Sequence, residues 1–466
     1  MNRRAFLTSF SVGVPAVFAQ RAQRPPNIVL ILADDLGWGD LQSYGAPDIR
    51  TPNIDAIGRA GIRFTQFYDN GPECSPTRCA LMTGRYQQRV GGLECAIGLN
   101  DVGRYDDAEW LQKRGELGLP VSETTMPRMF KSNGYDTAMF GKWHLGYRNQ
   151  FWPNAHGFDE FFGFLGGGAN YFTHREPEEG GNVNFYHNTT RLDLPGYTTD
   201  LFADKGIEWL QGRSQKPFFL YMPFNAPHYP MHAPERYKER FPKLAPERRT
   251  YAAMISALDD AVGQVLGALR ELRLENDTLV LFSADNGATR EARAGLDGKP
   301  ATAGNNAPFR GNKFSAFDGG MHVPMAMRWP GVIPKGQVIR ELGSHLDLLP
   351  TICKTAGAAL PGDRTLDGFD ALTLAASGAK SKHDAIYWSS GGQLAVRRGP
   401  WKLVRNGKTF DGTPEGDKPL GGDDALFLSN LEHDPGESRN LRHENATVAD
   451  ELLTLVEQWT QRVKEN

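Results

Sequence analysis

Two uninterrupted apolar runs that end in acidic residues constrain the fold of this chain more than any other feature. They are NIVLILADD at 27–35 and TLVLFSADN at 278–286, and KPFFLYMPFNAPH at 216–228 has a similar character. Unbroken apolar runs, unlike alternating ones, are typical of strands that are covered on both faces, as in parallel sheets. Apolar residues also recur at helical spacing before the second run, at Met254, Leu258, Val262, Val265 and Leu269. A helix that leads into a buried strand predicts an α/β fold.

Oxygen-bearing side chains follow these strands. Ligands bind at the carboxyl ends of the strands in such sheets, so we expect the polar residues there to lie together with His228 at one edge. Carboxylates with an amide oxygen suit a hard cation, Ca²⁺ or Mg²⁺, rather than zinc. The alternative, solvated acids at strand ends, is less favoured because two adjacent pairs occur at two strand ends. The candidate metal ligands of these pairs are Asp34, Asp35, Asp285 and Asn286.

The chain of 466 residues is long enough for one large domain and a smaller one. After about residue 380, AIYW, QLAVRR and WKLVRN indicate short alternating strands, the last two joined like a hairpin at Gly399-Pro400. The chain ends in an amphipathic helix with Val448, Leu452, Leu455, Trp459 and Val463 on one face. We therefore predict a catalytic domain at 25–380 and a C-terminal subdomain at 381–466. Long loops rich in Gly, Pro and Asn are expected at 91–120, 165–198 and 288–312.

The N-terminus has the pattern of a secretory signal. Arg3-Arg4 precedes an apolar run at 5–18 that ends in small residues, which predicts a signal peptide at 1–19 of the twin-arginine kind. A disordered or weakly anchored N-terminus is the alternative. The expected location is therefore exported, periplasmic or secreted. No later stretch is expected to span a membrane, and the net charge of −3 argues against a nucleic-acid partner.

The four cysteines, Cys74, Cys79, Cys95 and Cys353, form neither a disulfide framework nor a metal-binding spacing. Cys74 opens CSPTRCALMTG, in which Ser75 suits a helix N-cap and Pro76 the first helical position. A helix N-terminus favours an anion, and Arg78 can return to the same side. Such surroundings lower a thiol pKa, so a plain thiolate nucleophile is one interpretation of Cys74. An inert buried cysteine is the other.

Cations and imidazoles supply further candidates for catalysis. GKWHLG places Lys142 and His144 two residues apart, on one face if the segment is extended. A cation beside an imidazole fits anion binding with proton transfer. His228 in NAPHYP and Lys313 in FRGNKF are similar candidates. Each alone is more often a residue with a structural role, but together with a metal they predict a site for an oxyanion ester.

These stretches resemble the formylglycine-dependent sulfatases, the type I or Cys-type family that includes arylsulfatases and carbohydrate sulfatases. ECSPTRCALMTGRY is similar to the family's C-x-P-[ST]-R…TGR modification motif. Further blocks occur in the family's order over about residues 26–442: ADDLGWGD, GYDTAMFGKWHLG, NAPHYP, FSADNG, FRGNKFSAFDGGMHVPMAMRWPG, SHLDLLPT and LFLSNLEHDPGESRNL. The resemblance implies an alkaline-phosphatase-like α/β fold. Its central, mostly parallel sheet is flanked by helices, with a smaller C-terminal antiparallel sheet and helix.

The resemblance also implies roles for individual residues. Cys74 would be oxidised by a formylglycine-generating enzyme to formylglycine, whose hydrate is the nucleophile. One Ca²⁺ would be held by Asp34, Asp35, Asp285, Asn286 and the modified Cys74. Arg78 would steady the hydrate, and His144 would take the proton of its second hydroxyl. Lys142, His228 and Lys313 would grip the sulfate, and His228 or Lys313 would protonate the leaving oxygen.

The sequence departs from the family pattern in one block. It has Asp318-Gly-Gly-Met-His322 where the family often has Glu-Gly-Gly-x-Arg, so an arginine contact is not expected there. Four residues on the predicted loops are candidates for touching a sugar, although a structural role is the commoner fate of each: Arg104, Asn170, His174 and Arg290.

We therefore expect an exported sulfatase that acts on a sulfated carbohydrate or an aryl sulfate. One alternative is a phosphomonoester or phosphodiester hydrolase of the same fold. A two-zinc phosphatase would need additional His ligands, and the sequence offers no such set. The other alternative is a non-catalytic binder of sulfated glycans, if Cys74 is never converted.

Overall fold

The structure is a computed structural model, and it describes residues 24–99, 106–176, 181–213, 216–372, 374 and 378–465. The predicted signal peptide at 1–19 lies outside the described residues, as does Arg104. The strands are β1 Asn27–Ala33, β2 Ile62–Phe64, β3 Phe67–Tyr68, β4 Asp136–Lys142, β5 Glu160–Phe164, β6 Tyr186–His187, β7 Thr190–Arg191, β8 Phe218–Pro223, β9 Thr278–Ala284, β10 Met325–Arg328, β11 Gln337–Ile339, β12 Gly343–Ser344, β13 Ile386–Ser390, β14 Gln393–Arg398, β15 Trp401–Arg405 and β16 Leu426–Asn430.

The α-helices pack in groups beside these strands. They are α1 Pro52–Ala60, α2 Cys74–Thr83, α3 Asp106–Arg114, α4 Met126–Ser132, α5 Thr198–Gln211, α6 Glu235–Lys238, α7 Pro246–Glu271, α8 Asp318–Met321, α9 Leu348–Ala356 and α10 Ala446–Arg462. One group is centred on α7, which contacts α1, α5 and α6. A second group consists of α2, α4 and α9, which contact one another.

The central sheet has ten strands within the described residues, in the order β11-β2-β10-β9-β1-β8-β4-β5-β6-β7. Its middle is parallel: β1 pairs with β9 on one side and β8 on the other, and β4 joins β8 to β5. All seven residues of β1 are buried, as the unbroken apolar run predicts. The predicted mostly parallel sheet flanked by helices is confirmed, with antiparallel strands towards its two edges.

Strand register places the functional residues. Ala33 of β1 pairs with Ala284 of β9, and Leu32 pairs with Pro223 of β8. The polypeptide therefore leaves the sheet at the same level after β1, β8 and β9. Because parallel strands end at one edge, the polar residues that follow them converge.

Helix α7 is the longest helix in the described chain. All five of the apolar residues predicted to form its stripe are buried. The helix is long and apolar enough to cross a membrane by length and composition, so the expectation that no later stretch meets that criterion was wrong. However, 78% of its most apolar window is buried inside the protein, which is what a core helix of an α/β domain requires.

The C-terminal part forms its own antiparallel sheet in the order β13-β14-β15-β16. The predicted hairpin joins β14 to β15, whereas β16 was not predicted. Helix α10 packs on β13, β14 and β15. Leu452, Trp459 and Val463 are buried as expected, but Ala449 and Val456 rather than Val448 and Leu455 complete the buried face. The division between the two domains near residue 380 stays a prediction.

Two predicted loops contain regular structure. The 91–120 segment includes α3, and the 165–198 segment includes the two-residue strands β6 and β7. The sequence of α3, DDAEWLQKR, has few apolar residues, so it lacks the stripe by which an amphipathic helix is identified.

Candidate active site

The candidate site lies at the carboxyl edge of four neighbouring strands. Asp34 and Asp35 follow β1, Asp285 and Asn286 follow β9, and His228 lies in the loop after β8. Lys142 is the last residue of β4. Helix α2 delivers Cys74 and Arg78 to the same edge, where Cys74 Sγ lies 3.3 Å from Asp34 Oδ1. The structure thus brings together all ten predicted site residues, and His144 reaches the site from the turn after β4.

Each of the three buried carboxylates has its own cation. Lys142 Nζ donates to Asp34 Oδ2 at 2.6 Å. Arg78 donates to Asp285 Oδ2 through Nε at 3.1 Å and through its NH2 group at 2.8 Å. Lys313 Nζ donates to Asp35 Oδ2 at 3.0 Å. The side chains are at most 4% exposed, and buried charges of this kind persist only when they are paired.

The pKa values of the acids reflect burial and these cations. Burial raises the pKa of Asp34 to about 7 in spite of Lys142, and burial also raises the pKa of Asp35. At Asp285 burial acts in the same direction, but Arg78 and Lys142 outweigh it and the pKa is lowered. A further cation among these carboxylates would favour their ionised forms.

The donor set fits a hard cation. Ligand atoms of Asp34, Asp35, Cys74 and His228 all lie within 4.8 Å of one another. Asn286 donates through Nδ2 to Asp35 Oδ1 at 2.7 Å, and its own Oδ1 is buried with no hydrogen-bond donor. A buried oxygen without a partner is costly, and a cation would satisfy it. Oxygen donors of this kind suit Ca²⁺ or Mg²⁺.

Helix α2 begins two residues earlier than the sequence suggested. Its first residue is Cys74 and its N-cap position is Glu73, so the prediction of Ser75 as the N-cap was wrong. Ser75 Oγ instead donates to the backbone oxygen of His144 at 2.8 Å and accepts from the amide of Ile97 at 3.2 Å. The Ser75 hydroxyl therefore fastens α2 to the turn that carries His144.

The thiol of Cys74 is not activated. Lys142 Nζ lies 3.3 Å from Sγ, but burial, followed by the charges of Asp285 and Asp34, raises the thiol pKa well above its usual value. The expectation of a lowered pKa was wrong because the thiol is fully buried and lies beside two carboxylates, and these effects outweigh the nearby lysines. This finding argues against a plain thiolate nucleophile.

His144 lies in a turn, not in an extended segment. Strand β4 ends at Lys142, and His144 has a positive φ of 58°. Its Nε2 lies 2.8 Å from the carbonyl oxygen of Ile97, and its Nδ1 is buried with no partner. Burial, together with Lys142 and Arg78, lowers its pKa well below the usual value. The carbonyl can only accept, so Nε2 carries the proton and Nδ1 keeps a free lone pair.

His228 and Lys313 form a pair beside Asp35. The Nε2 atom of His228 lies 3.4 Å from Lys313 Nζ and 3.6 Å from Asp35 Oδ2. Its Nδ1 faces the carbonyl oxygen of Tyr229 at 2.6 Å, and burial lowers its pKa well below the usual value. By contrast, the charges of Asp35 and Cys74 outweigh burial and raise the pKa of Lys313. The pair thus combines a cation with a neutral imidazole that accepts its hydrogen bond.

A family model described as Sulfatase matches residues 26–358, which is more than half of the chain. The chain belongs to the sulfatase family. Its catalytic function is therefore the hydrolysis of a sulfuric ester. N-acetylgalactosamine-6-sulfatase of Canis lupus familiaris is 35% identical over 412 residues, covering 82% of this chain and 72% of the relative.

Two further relatives cover the chain more fully. Arylsulfatase A of Homo sapiens is 34% identical over 476 residues, covering 93% of this chain and 87% of the relative. The crystal structure of Ps i-CgsB in complex with k-i-k-neocarrahexaose is 30% identical, with a TM-score of 0.80, and the match covers 94% of this chain and 93% of that chain. The fold of this sulfatase is thus similar to that of the solved structure over 94% of the chain.

Some residues at the sulfatase site were not predicted from the sequence. Glu291 Oε2 lies 3.6 Å from Lys313 Nζ. Gly167 approaches His144 so closely that a Cβ there would lie 2.9 Å from Nε2. The Gly-Gly-Gly run at 166–168, inside a long predicted loop, was the signal that could have indicated this close approach.

The loop residues that were candidates for touching a sugar have structural roles where the structure describes them. The Asn170 Oδ1 atom accepts from the amides of the next turn, His174 is hydrogen-bonded to a backbone oxygen, and Arg290 donates to the Gly304 oxygen. In the divergent block, His322 contacts Asp318 Oδ2 at 3.1 Å in place of an arginine. All four cysteines are buried, and no disulfide joins any two of them in the described part of the chain.

Proposed function

We propose that this sulfatase is an exported enzyme that hydrolyses a sulfate ester of a sulfated carbohydrate, with formylglycine made from Cys74 and one Ca²⁺. The observation that carries the proposal is the position of Cys74. Its Sγ, which occupies the position of the future aldehyde group, lies within 3.3 Å of both Asp34 Oδ1 and Lys142 Nζ. An unactivated thiol in this position suits a precursor better than a nucleophile.

The surroundings of Cys74 suit its conversion product. Formylglycine supplies a hydrated aldehyde. One hydroxyl can attack sulfur with departure of the alcohol, and loss of the proton of the second hydroxyl to a base then expels sulfate as the aldehyde re-forms. Asp34 can accept a hydrogen bond from a hydroxyl at the Sγ position. Arg78, which lies within 3.7 Å of Asp34 through its NH2 group, keeps that carboxylate in place.

The carboxylates Asp34, Asp35 and Asp285, the Asn286 Oδ1 atom and the modified Cys74 are the proposed ligands of Ca²⁺. The buried Oδ1 atom of Asn286 supports this ligand set, because it accepts no hydrogen bond from the described residues. When bound, the ion supplies a charge that polarises oxygen atoms. The three carboxylates are already balanced by three cations, so a divalent ion leaves the site with an excess of positive charge. Such an excess favours a sulfate group.

Lys142, His228 and Lys313 are proposed to bind the sulfate oxygens. Preorganised cations in a buried site stabilise charge that develops during transfer. The contact between His228 and Lys313 provides a proton path to the leaving oxygen, because the lysine can donate directly or through the imidazole. Either residue therefore remains a candidate for the general acid.

His144 is proposed to be the base that takes the proton of the second hydroxyl. Its Nε2–H is held by the Ile97 oxygen, and its free Nδ1 is the atom that can accept a proton. The lowered pKa keeps the imidazole neutral near pH 7, which is the form that a base requires.

A sulfated carbohydrate is the proposed substrate class. The relatives named above include an N-acetylgalactosamine-6-sulfatase, and the solved relative binds a neocarrahexaose. An aryl sulfate would serve as a simpler substrate. The phosphoester alternative is less favoured, because the metal-ligand cluster found among the described residues contains one histidine rather than a set for two zinc ions. A non-catalytic glycan binder would apply only if Cys74 were never converted.

We further propose that Cys74 is converted by a formylglycine-generating enzyme before the chain folds. Cys74 is 1% exposed, and every residue of α2 is buried, so a modifying enzyme could not reach it afterwards. Export of the folded enzyme by a twin-arginine signal at 1–19, to the periplasm or beyond, is consistent with this order.

The test is sulfate release from 4-nitrophenyl sulfate by protein from its native host, with Cys74→Ala as the matched variant. We expect activity in the parent protein and none in the variant, with the same thermal unfolding midpoint to within a few degrees. Equal activity in the two proteins would overturn the formylglycine mechanism.

A further inference from the structure

A cavity of about 420 Å³ adjoins the candidate active site on the side of His144. Its size lies within the range of about 300–1,000 Å³ that is typical of small-molecule sites. Ile97 connects the two places, because its carbonyl oxygen contacts His144 Nε2 at 2.8 Å while the residue also lines the cavity. Tyr147, three residues after His144, forms another part of the wall.

The cavity has the chemistry of a site for an anionic sugar. Arg148 and Lys113 line it, and no acidic residue is among the described residues that do so. Apolar surface comes from Leu99, which is 47% exposed, and from Leu117. Sugar rings present apolar C–H faces, so a Tyr ring and exposed leucine beside two cations suit a charged carbohydrate.

The position of the Arg148 side chain in the wall of the cavity depends on Gly115. Gly115 has a positive φ of 74°, and a Cβ there would lie 2.2 Å from the Arg148 Cζ atom. The guanidinium therefore lies flat across a glycine that leaves room for it. Within the described part of the chain, the Arg148 guanidinium has no hydrogen bond or ion pair, whereas Lys113 lies 3.7 Å from Glu109. Arg148 is thus a cation in position for a ligand.

We infer that this cavity binds the sugar unit next to the one whose sulfate is removed, and that Arg148 recognises an anionic group on that neighbouring unit. The inference rests on the proposed function, since it assigns a second binding position to the same substrate. The group is an oxyanion, either the carboxylate of a uronic acid or a second sulfate. A guanidinium can donate two parallel hydrogen bonds to either group.

The first test compares matched substrates in the parent enzyme and in Arg148→Gln. The carboxylate pair is the tetrasaccharide of chondroitin 6-sulfate and its carboxyl-reduced form, which has a neutral neighbouring unit. The sulfate pair is the tetrasaccharides of ι-carrageenan and κ-carrageenan, of which the second has the neutral neighbouring unit. The remaining substrate is 4-nitrophenyl sulfate. We expect kcat/KM to fall about tenfold for tetrasaccharides with a charged neighbouring unit, mainly through KM. The neutral-neighbour tetrasaccharides and the aryl sulfate should change less than about twofold. The carboxylate pair and the sulfate pair show which oxyanion is preferred.

Arg114→Gln is the matched control. Arg114 lies at the end of the same helix α3 as Lys113, but it is paired with Glu116 at 2.8 Å and does not line the cavity. We expect its kinetics to follow the parent enzyme on every substrate. An equal loss on charged and neutral tetrasaccharides in Arg148→Gln, or no loss at all, would overturn the inference.

A binding measurement separates this inference from the proposed function. Calorimetric titration of the same tetrasaccharides into Cys74→Ala protein requires no turnover. Binding that is about tenfold weaker in Cys74→Ala/Arg148→Gln than in Cys74→Ala supports the assignment of the cavity, whether or not the parent enzyme releases sulfate. A parent enzyme that releases no sulfate would contradict the proposed function alone. Failure of both charged tetrasaccharides to bind Cys74→Ala protein would overturn the inference.

Discussion

At the scale of single residues, the site depends on which polar atoms are engaged and which are free. Within the part of the chain that the structure describes, the Nδ1 atom of His144 and the Oδ1 atom of Asn286 are buried without hydrogen-bond partners. A structural core rarely leaves such atoms unsatisfied. The proposed function gives each atom a partner, a proton for His144 Nδ1 and a cation for Asn286 Oδ1.

His144→Asn tests the proposed base. We expect kcat to fall about 100- to 10,000-fold, because general base catalysis contributes that much, with KM changed less than about threefold. The measurement is steady-state sulfate release at pH 7. His187→Gln is the control, since that half-buried histidine pairs with Glu160 at a strand near the sheet edge. A KM effect with an unchanged kcat would assign His144 to binding instead.

Asn286→Ala tests the proposed cation site. We expect millimolar Ca²⁺ to raise the unfolding free energy of the parent protein after chelation, by about 2.7 kcal/mol at one hundred times the dissociation constant. The variant should gain much less, because it lacks the orphaned oxygen. Asn133→Ala is the control, because Asn133 precedes β4 and so lies at the end of that strand away from the site. This variant should respond to Ca²⁺ like the parent protein. No response to Ca²⁺ in the parent protein would remove the support for this ligand set.

At the scale of elements, the sequence predicts what local pattern determines. The unbroken apolar runs identify β1, β8 and β9, and the helical spacing identifies α7. The polar residues after the strands could be predicted to converge because parallel strands share an edge. In contrast, α3 and β16 were missed, because α3 is a polar helix and β16, LFLSN, does not alternate apolar and polar residues.

The contacts that complete the site could not be predicted from local pattern. The approach of Gly167 to His144, the Glu291–Lys313 contact and the raised thiol pKa of Cys74 all depend on tertiary packing. The helix N-terminus alone predicted the opposite pKa shift for Cys74. Burial of the thiol, followed by the charges of Asp285 and Asp34 that folding brings beside it, reversed the direction of the shift.

His345 links β9 to the start of α9 and predicts a pH dependence of stability. Its Nε2 lies 2.8 Å from Ser283 Oγ of β9, and burial lowers its pKa to about 3. A lowered folded-state pKa contributes stability that is full above the unfolded value of about 6.5 and is lost as pH falls towards 3. Between pH 7 and pH 5 the unfolded chain gains this proton and the folded protein does not, at a cost of about 2 kcal/mol.

His345→Gln should therefore be less sensitive to acid than the parent protein over that range. Urea unfolding at pH 7 and pH 5 measures the difference, which we expect to be smaller by about 2 kcal/mol in the variant. Equal losses in the two proteins would show that His345 does not contribute.

At the scale of the whole molecule, buried charges join the C-terminal sheet to helix α8. Lys402 Nζ of β15 lies 2.7 Å from Asp318 Oδ1 and 3.1 Å from Glu437 Oε1, and all three side chains are at most 2% exposed. Asp318 opens α8, and the amide of Gly287, next to Asn286, donates to Gly320 of the same helix at 3.0 Å. The C-terminal sheet thus supports the loop that follows β9.

Lys402→Met should destabilise the protein by about 3–5 kcal/mol, because it leaves two buried carboxylates without their cation. Urea unfolding measures this change. Arg439→Met is the control, since its pair with Glu444 is largely exposed and such pairs contribute at most about 1 kcal/mol. A loss of less than about 1 kcal/mol in Lys402→Met would mean that the sheet is not held by these charges.

The central claim is that Cys74 is a precursor and not itself the nucleophile. The most direct measurement is mass spectrometry of the peptide that spans residues 73–86, from the same native-host preparation that is assayed for sulfate release. We predict that active protein contains a peptide lighter by the mass difference between a thiol and an aldehyde, in proportion to its activity. Fully active protein in which Cys74 is entirely unmodified would contradict the account.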